Sequence, residues 1–350
     1  MSHVETIPFP LRVVALGGGT GLPAVLRGLK AVLFPAGLAD DPERLTAVVT
    51  VTDEGGSSGR LRESLRMLPP GDIRNCLVAL SHNEPLMSRL FQARYRTGQD
   101  LEGHPVGNLI LAALAQEEAG GFLAAVQLAS EVLNIQGRVF PSTLDQVRLA
   151  ATMTDGRELL GETALAVAGG AVRRLRLEPP ADAAAPGVVE AIERADLVIL
   201  GPGSLFSSIV PNLLVGRLAE ALRRTAALRL LVVNAMTEEG ETSGFTAAAH
   251  VRAVLDHAGT LDGALVATDV VPAEVLDRYR EEGAERVVDD GAALDRLVPI
   301  VVRRHLMQVR PKARHDALLT AGAVLEALVQ FRRAGGRPAL AERASERKAV

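Results

Sequence analysis

The chain has 350 residues, 48% hydrophobic and 23% charged, the balance of a globular protein with a large buried core built as one large α/β domain or two ordinary ones. Thirty-eight basic residues stand against 42 acidic ones, for a net charge of −4, and only 3% of residues are aromatic. That composition argues against a basic duplex-binding face and against the aromatic platforms on which single strands stack, so nucleic acid is not an expected partner. A single cysteine, Cys76, excludes an internal disulfide and a thiolate zinc site. No apolar run reaches the roughly eighteen residues of a membrane span, and Met1–Pro10 lacks the basic and apolar regions of a signal peptide. The expectation is a cytoplasmic protein with no membrane span.

Short β-branched runs alternate with helical patterns along the chain. Arg12–Leu16 predicts a strand, Leu22–Phe34 a helix and Thr46–Thr52 a second strand. Between Asp72 and Asn134 the rhythm changes to consecutive helices over Asp72–Leu80, Pro85–Tyr95, Pro105–Glu118 and Phe122–Leu133. Gln146–Thr154 and Arg157–Thr163, joined by Asp155-Gly156, read as a β-hairpin, and Arg173–Leu177 alternates like an edge strand. Strands over Leu197–Leu200, Leu228–Val233, Ala264–Ala267 and Val298–Val302 then alternate with helices over Leu205–Arg224, Phe245–His257, Pro272–Glu282 and Asp316–Phe331. Near-continuous apolar strands separated by helices predict a doubly wound, mostly parallel, Rossmann-like α/β sheet. The helical and hairpin stretch at about 72–180 reads as an insertion into one domain spanning 1–331. Residues 332–350, with six basic and two acidic side chains, read as a disordered basic tail.

The glycine runs carry the functional signal. Gly17-Gly18-Gly19-Thr20-Gly21 follows the first strand and opens the first helix. It is either a tight turn or a phosphate site, and four glycines exceed what a turn alone needs. From Gly19 to Ala24 it approximates the dinucleotide fingerprint. The acid that would hold a ribose, Asp53, lies 34 positions beyond Gly19 rather than about 20, which argues against a dinucleotide enzyme. Asp53-Glu54-Gly55-Gly56-Ser57-Ser58-Gly59-Arg60 ends the second strand. In one reading its carboxylates hold Mg²⁺ through water and Gly55–Ser58 forms an anion nest. In the other it is a polar loop whose serines cap a helix near Arg60. Asp72 is either a helix N-cap or a second metal-facing carboxylate, with Arg74 then placed to pair with a phosphate. Cys76 falls in an apolar pattern and reads as core. His104 is a general acid or ligand contact in one reading, a hydrogen-bonded structural group in the other. Gly201-Pro202-Gly203-Ser204 repeats the glycine logic after another strand. Two such turns on one sheet edge predict a ligand in two parts, such as a nucleotide diphosphate with its substituent.

These runs occur together with Glu102–Asn108 and Asn234-Ala235-Met236-Thr237, in this order. In that combination the chain resembles the YvcK-type proteins of the CofD-like superfamily, often called gluconeogenesis factors, from about Leu11 to about Val329. The resemblance implies a Rossmann-like fold, a cytoplasmic location, binding of a UDP sugar such as UDP-N-acetylglucosamine, and a role in cell shape and carbon-source adaptation. It brings Asn75 and Asn108 into the ligand-binding set with Gly18, Gly19, Thr20, Gly21, Gly55, Gly56, Ser57, Ser58, Arg74, Gly201, Gly203 and Ser204. Tyr279 and Arg314 look like the tyrosine and arginine that such proteins use for sugar nucleotides. The chain is also similar to 2-phospho-L-lactate transferases, whose Mg²⁺-binding aspartates match Asp53 and Asp72, and this gives an alternative reading as a Mg²⁺-dependent phosphotransferase. It departs from them in having Asp53-Glu54 where they carry two adjacent aspartates. No nucleophile–base pair is legible, so a nucleotide-sugar-binding regulator is the first reading and no catalytic residue is assigned. A symmetric homodimer is the default assembly.

Overall fold

A computed structural model of the chain describes residues 11–38, 40–170, 172–309 and 312–336. Its strands are β1 (Val13–Gly17), β2 (Leu45–Val49), β3 (Arg138–Pro141), β4 (Arg148–Met153), β5 (Glu158–Leu160), β6 (Val172–Glu178), β7 (Leu197–Leu200), β8 (Leu228–Val232), β9 (Gly263–Ala267), β10 (Ile300–Arg304), β11 (Met307–Val309) and β12 (Ala313–His315). Its helices are α1 (Gly21–Leu33), α2 (Gly56–Leu65), α3 (Gly71–Leu80), α4 (Glu84–Phe91), α5 (Val106–Glu117), α6 (Gly121–Val132), α7 (Glu162–Ala168), α8 (Val188–Arg194), α9 (Val210–Leu213), α10 (Gly216–Arg224), α11 (Ala247–Ala258), α12 (Ala273–Glu281), α13 (Ala292–Asp295) and α14 (Ala317–Arg333).

Seven strands form one parallel sheet in the order β10-β9-β8-β7-β1-β2-β3. The expected Rossmann-like α/β architecture is present. The sheet interior is apolar because both its faces are covered: every residue of β1, β2 and β7 is buried. Helix α1 presents Leu22, Val25, Leu26, Leu29 and Leu33 to this core at helical spacing. The chain runs from β1 to β2 and β3 on one side, then returns to lay β7 against the other side of β1. That reversal is a topological switch point, where an open crevice forms outside the carboxyl ends of the strands.

The four helices expected after Asp72 and the hairpin β4–β5 are present, and β6 completes a separate antiparallel sheet in the order β5-β4-β6. The stretch 72–180 also contributes β3 to the edge of the main sheet. Sequence pattern missed that strand because it is four residues long and ends in Pro141, a residue at home only on sheet edges. The single helix expected over Leu205–Arg224 is instead a π-turn at Leu205–Ile209, then α9 and α10. Asn212 Nδ2 donates to Ser208 O at 2.8 Å and to Gly17 O at 3.4 Å, pinning the interrupted segment to the end of β1. Helix α14 continues to Arg333, past the expected end at residue 331. The remainder of the expected basic tail, 337–350, and the segment Met1–Pro10 lie outside the described residues. Among the described residues no single helix is long and apolar enough to cross a membrane.

Candidate functional site

The glycine turns after β1 and β7 flank the switch point and touch each other. A Cβ on Gly21 would stand 2.3 Å from Pro202 O, so only glycine lets α1 start against the second turn. Gly19 adopts φ +62°, which turns its amide toward α3. Together the turns floor a cleft of about 360 Å³ lined by Gly19, Thr20, Gly21, Pro202, Gly203 and Ser204. The first amides of α1 lack intrahelical partners, and Gly21 and Ala24 of its first turn line this cleft.

Residues from far along the chain complete its walls. Tyr279 of α12 and Arg314 of β12, matched above only by resemblance, both line it. The Tyr279 hydroxyl donates to Ala313 O at 3.0 Å, tying α12 to the β11–β12 hairpin, and the Lys312 ammonium lies 5.8 Å from the ring centroid. Lys312 is itself paired with Glu282 at 2.8 Å. Arg314 is exposed, with no ion-pair partner among the described residues. Asn234, just beyond β8, brackets Gly203: its Nδ2 donates to Gly203 O at 2.9 Å and its Oδ1 accepts from Gly203 N at 3.2 Å. Ser204 Oγ donates to Glu238, whose carboxyl is held above its ordinary value by burial. Behind it, burial and the neighbouring Glu238 push Glu241 up to about 7. His315 also lines the cleft; burial pushes it down to about 4, and its Nε2 is buried without a hydrogen-bond partner.

The other expected residues form a second polar cluster beside the cleft. Asp72 is the link. It lies inside the first turn of α3, whose N-cap is Pro70, so the N-cap reading does not hold. Its Oδ2 accepts from Gly19 N at 2.6 Å. Burial, opposed by that bond and reinforced by the nearby charge of Asp53, pushes its carboxyl up to about 6. Burial and Asp53 likewise push Glu162, at the start of α7, up to about 7. Asp53 Oδ1 accepts from Gly55 N at 2.8 Å. Helix α2 starts at Gly56, earlier than the expected start near Arg60, so Ser57 and Ser58 lie buried in its first turn rather than capping it.

Beneath α2 the side chains largely satisfy one another, with Arg74 Nε the buried exception that has no partner. Ser57 Oγ lies 2.7 Å from His104 Nδ1 and accepts from Asn108 Nδ2 at 2.9 Å. Arg74 donates to Asn108 Oδ1 at 2.6 Å and to Asn75 Oδ1 at 2.9 Å. Burial, with Arg94 nearby, lowers Arg74 to about 10. Its guanidinium is therefore committed to two asparagines, and Arg74, Asn75, Asn108, Ser57 and Ser58 do not line the cleft. The Ser57–His104 contact is a hydroxyl–imidazole pair that the sequence reading did not find, because its members are 47 positions apart. Burial holds His104 below its ordinary value, so the ring is neutral near pH 7. Cys76 is fully buried core, as expected.

Sequence reasoning left Glu238, Lys312 and His315 out of the site. The signal for the first was available, since Asn234–Thr237 follows a parallel strand on the same edge as both glycine turns. Lys312 and His315 reach the cleft only through the β11–β12 hairpin, whose three-residue strands carry no pattern.

Fold and site define a Rossmann-like α/β protein with a cleft floored by two glycine turns at the switch point of its sheet. The family model described as 2-phospho-L-lactate transferase CofD matches residues 13–307, and the chain belongs to the CofD family. It is 42% identical to the gluconeogenesis factor of Bacillus subtilis over 320 residues, covering 91% of this chain and 98% of the relative. It is 40% identical to the gluconeogenesis factor of Halalkalibacterium halodurans over 317 residues, covering 90% and 95%. A crystal structure of a UPF0052 family protein from Bacillus halodurans superimposes with a TM-score of 0.84 at 40% identity, covering 90% of this chain and 98% of that one.

Proposed function

We propose that the chain is a regulatory protein that binds a UDP sugar, UDP-N-acetylglucosamine, in the glycine cleft. By its likeness to the named relatives it acts as a gluconeogenesis factor, with effects on cell shape and carbon-source use. The observation that carries this reading is that both glycine turns, Tyr279 and Arg314 line one cleft although they span nearly 300 positions of sequence. The amides at the start of α1 and the unpaired Arg314 supply donors for a diphosphate. Tyr279 offers an aromatic surface to a base or sugar, and the Glu238 carboxylate an acceptor for hydroxyls. Calorimetry with UDP-N-acetylglucosamine tests it. Submillimolar binding is expected, weakened about tenfold or more by Arg314→Ala. Folded protein that gives no heat overturns the reading.

A second reading, a Mg²⁺-dependent phosphotransferase, is favoured by the proximity of Asp53 and Asp72, the charge of Asp53 raising the cost of ionising Asp72. Two carboxylates suit a hard cation that keeps waters and substrate oxygens in the rest of its shell. Among the described residues no group of three or more His, Cys, Asp or Glu is placed to hold a metal. Asp53 and Asp72 would hold the ion, which when bound would neutralise charge on phosphoryl oxygens. Asp53→Asn should abolish Mg²⁺-dependent turnover. If ligand affinity responds neither to Mg²⁺ nor to that substitution, this reading fails.

A further inference from the structure

A second cavity, of about 700 Å³, opens between α2, the start of β4 and Thr163 of α7, and shares no lining residue with the glycine cleft. Three arginines converge on it: Arg62 and Arg66 at the end of α2, and Arg148 on β4. Two acids also line it, Glu54 and Glu63, and the charge balance turns on what each does. Glu54 is spent, because both its oxygens accept from Arg148, at 2.5 and 3.3 Å. Glu63 stands exposed on the rim.

Arg62 and Arg66 form no direct ion pair among the described residues, although the charges of Glu54, Asp53 and Glu63 act on Arg62. Arg62 Nη2 donates to Val147 O, while its Nη1 is buried with no hydrogen-bond partner. Arg62 as a whole is half-buried, and its stranded Nη1 donor is costly until neighbouring groups shift to admit an acceptor. Arg66 closes α2 in the left-handed region, at φ 52°, and among the described residues its side chain has no hydrogen-bond partner. Gln146 holds that terminus by donating to Arg66 O at 2.6 Å. Two guanidinium groups without direct ion pairs, beside a pre-paired Arg148–Glu54 couple, make a site for an oxyanion, and the volume exceeds what an inorganic ion needs.

We propose that this cavity binds a small molecule bearing a phosphate or carboxylate, gripped by Arg62 and Arg66. The site is independent of the UDP-sugar reading. Glu54 lines the cavity, and its neighbour Asp53 acts on both Asp72 and Arg62.

The test is a soak of full-chain crystals in sodium tungstate, a tetrahedral anion visible by anomalous scattering, joined to thermal-shift titrations with inorganic phosphate and with citrate. A tungsten peak against the Arg62 and Arg66 guanidinium groups is expected, and it should persist in Arg314→Gln. Arg66→Gln, which leaves the Arg62–Val147 bond in place, should weaken the better of the two anions about tenfold or more. Glu63→Gln should strengthen it, a change of sign that a purely structural role for these arginines would not give. The relative response to phosphate and citrate identifies which acid group the site prefers. Tungsten confined to the glycine cleft overturns the proposal. So does an anion response that survives Arg66→Gln, or a peak present at crystal-soaking concentration with no response in solution.

Discussion

The glycine cleft and the polar cluster beneath α2 lie on either side of Asp72, yet they are built on opposite principles. The cleft is floored by backbone at the ends of β1 and β7, part of it engaged by Asp72 and Asn234, with Arg314 open to solvent on its rim. The cluster is made of buried side chains that answer one another, Ser57 to His104 and Asn108, Arg74 to Asn108 and Asn75. Polar groups directed at each other hold a fold together; polar groups directed at open space are free to hold something else. Damage to the first region should therefore be read in binding, and damage to the second in stability.

The sharpest break in that division is Gly21→Ala. Its methyl group would meet Pro202 O at 2.3 Å, a backbone atom that cannot move aside, so the cleft's own floor should lose stability at or beyond the upper end of about 1–3 kcal/mol. Gly322→Ala in α14 meets nothing within 4 Å and should be neutral or slightly stabilising in the same denaturation series. Asp72 comes next. The folded chain holds its proton up to about 6 against an ordinary 3.8, so the unfolded chain releases that proton first and stability falls as pH rises through this window. The loss amounts to up to about 3 kcal/mol. Asp72→Asn keeps an acceptor for the Gly19 amide and should flatten that part of a urea-denaturation profile. The slope that Glu162 and Glu241 add toward about 7 should remain.

Arg74→Met strands the buried Asn108 Oδ1 and should cost about 1–3 kcal/mol in chemical denaturation while leaving nucleotide-sugar affinity within about twofold. Arg314→Gln is its mirror image. It should shift the denaturation midpoint by less than about 0.5 kcal/mol, as expected of an exposed residue, yet reduce affinity. A large stability loss in Arg314→Gln, or a large affinity loss in Arg74→Met, would dissolve the distinction between the two regions.

The sheet was legible because its strands are short apolar runs buried on both faces, as in Leu197–Leu200. What escaped was set by contacts rather than pattern. Asn212 breaks an apparently continuous helix through hydrogen bonds to carbonyls, one of them in β1, which no periodicity announces. The glycine turns could be read as ligand-facing, since conformational freedom is written in residue type. Their amides could not: Asp72 engages Gly19, Asp53 engages Gly55 and Asn234 engages Gly203. The Ser57–His104 contact and the Arg62–Arg66 cavity both arise where α2 meets elements distant in sequence. Such meetings belong to the fold and leave no mark in the local chain.

Helix α1 packs against α14, with Gly28 set so closely on Ala317 that an added Cβ would stand 1.9 Å from its carbonyl oxygen. Helix α1 therefore lacks this neighbour until α14 has been made, and the cleft at its tip stays half-walled until Arg314 and His315 have been made. A nascent chain carrying both glycine turns would still lack the wall that faces them.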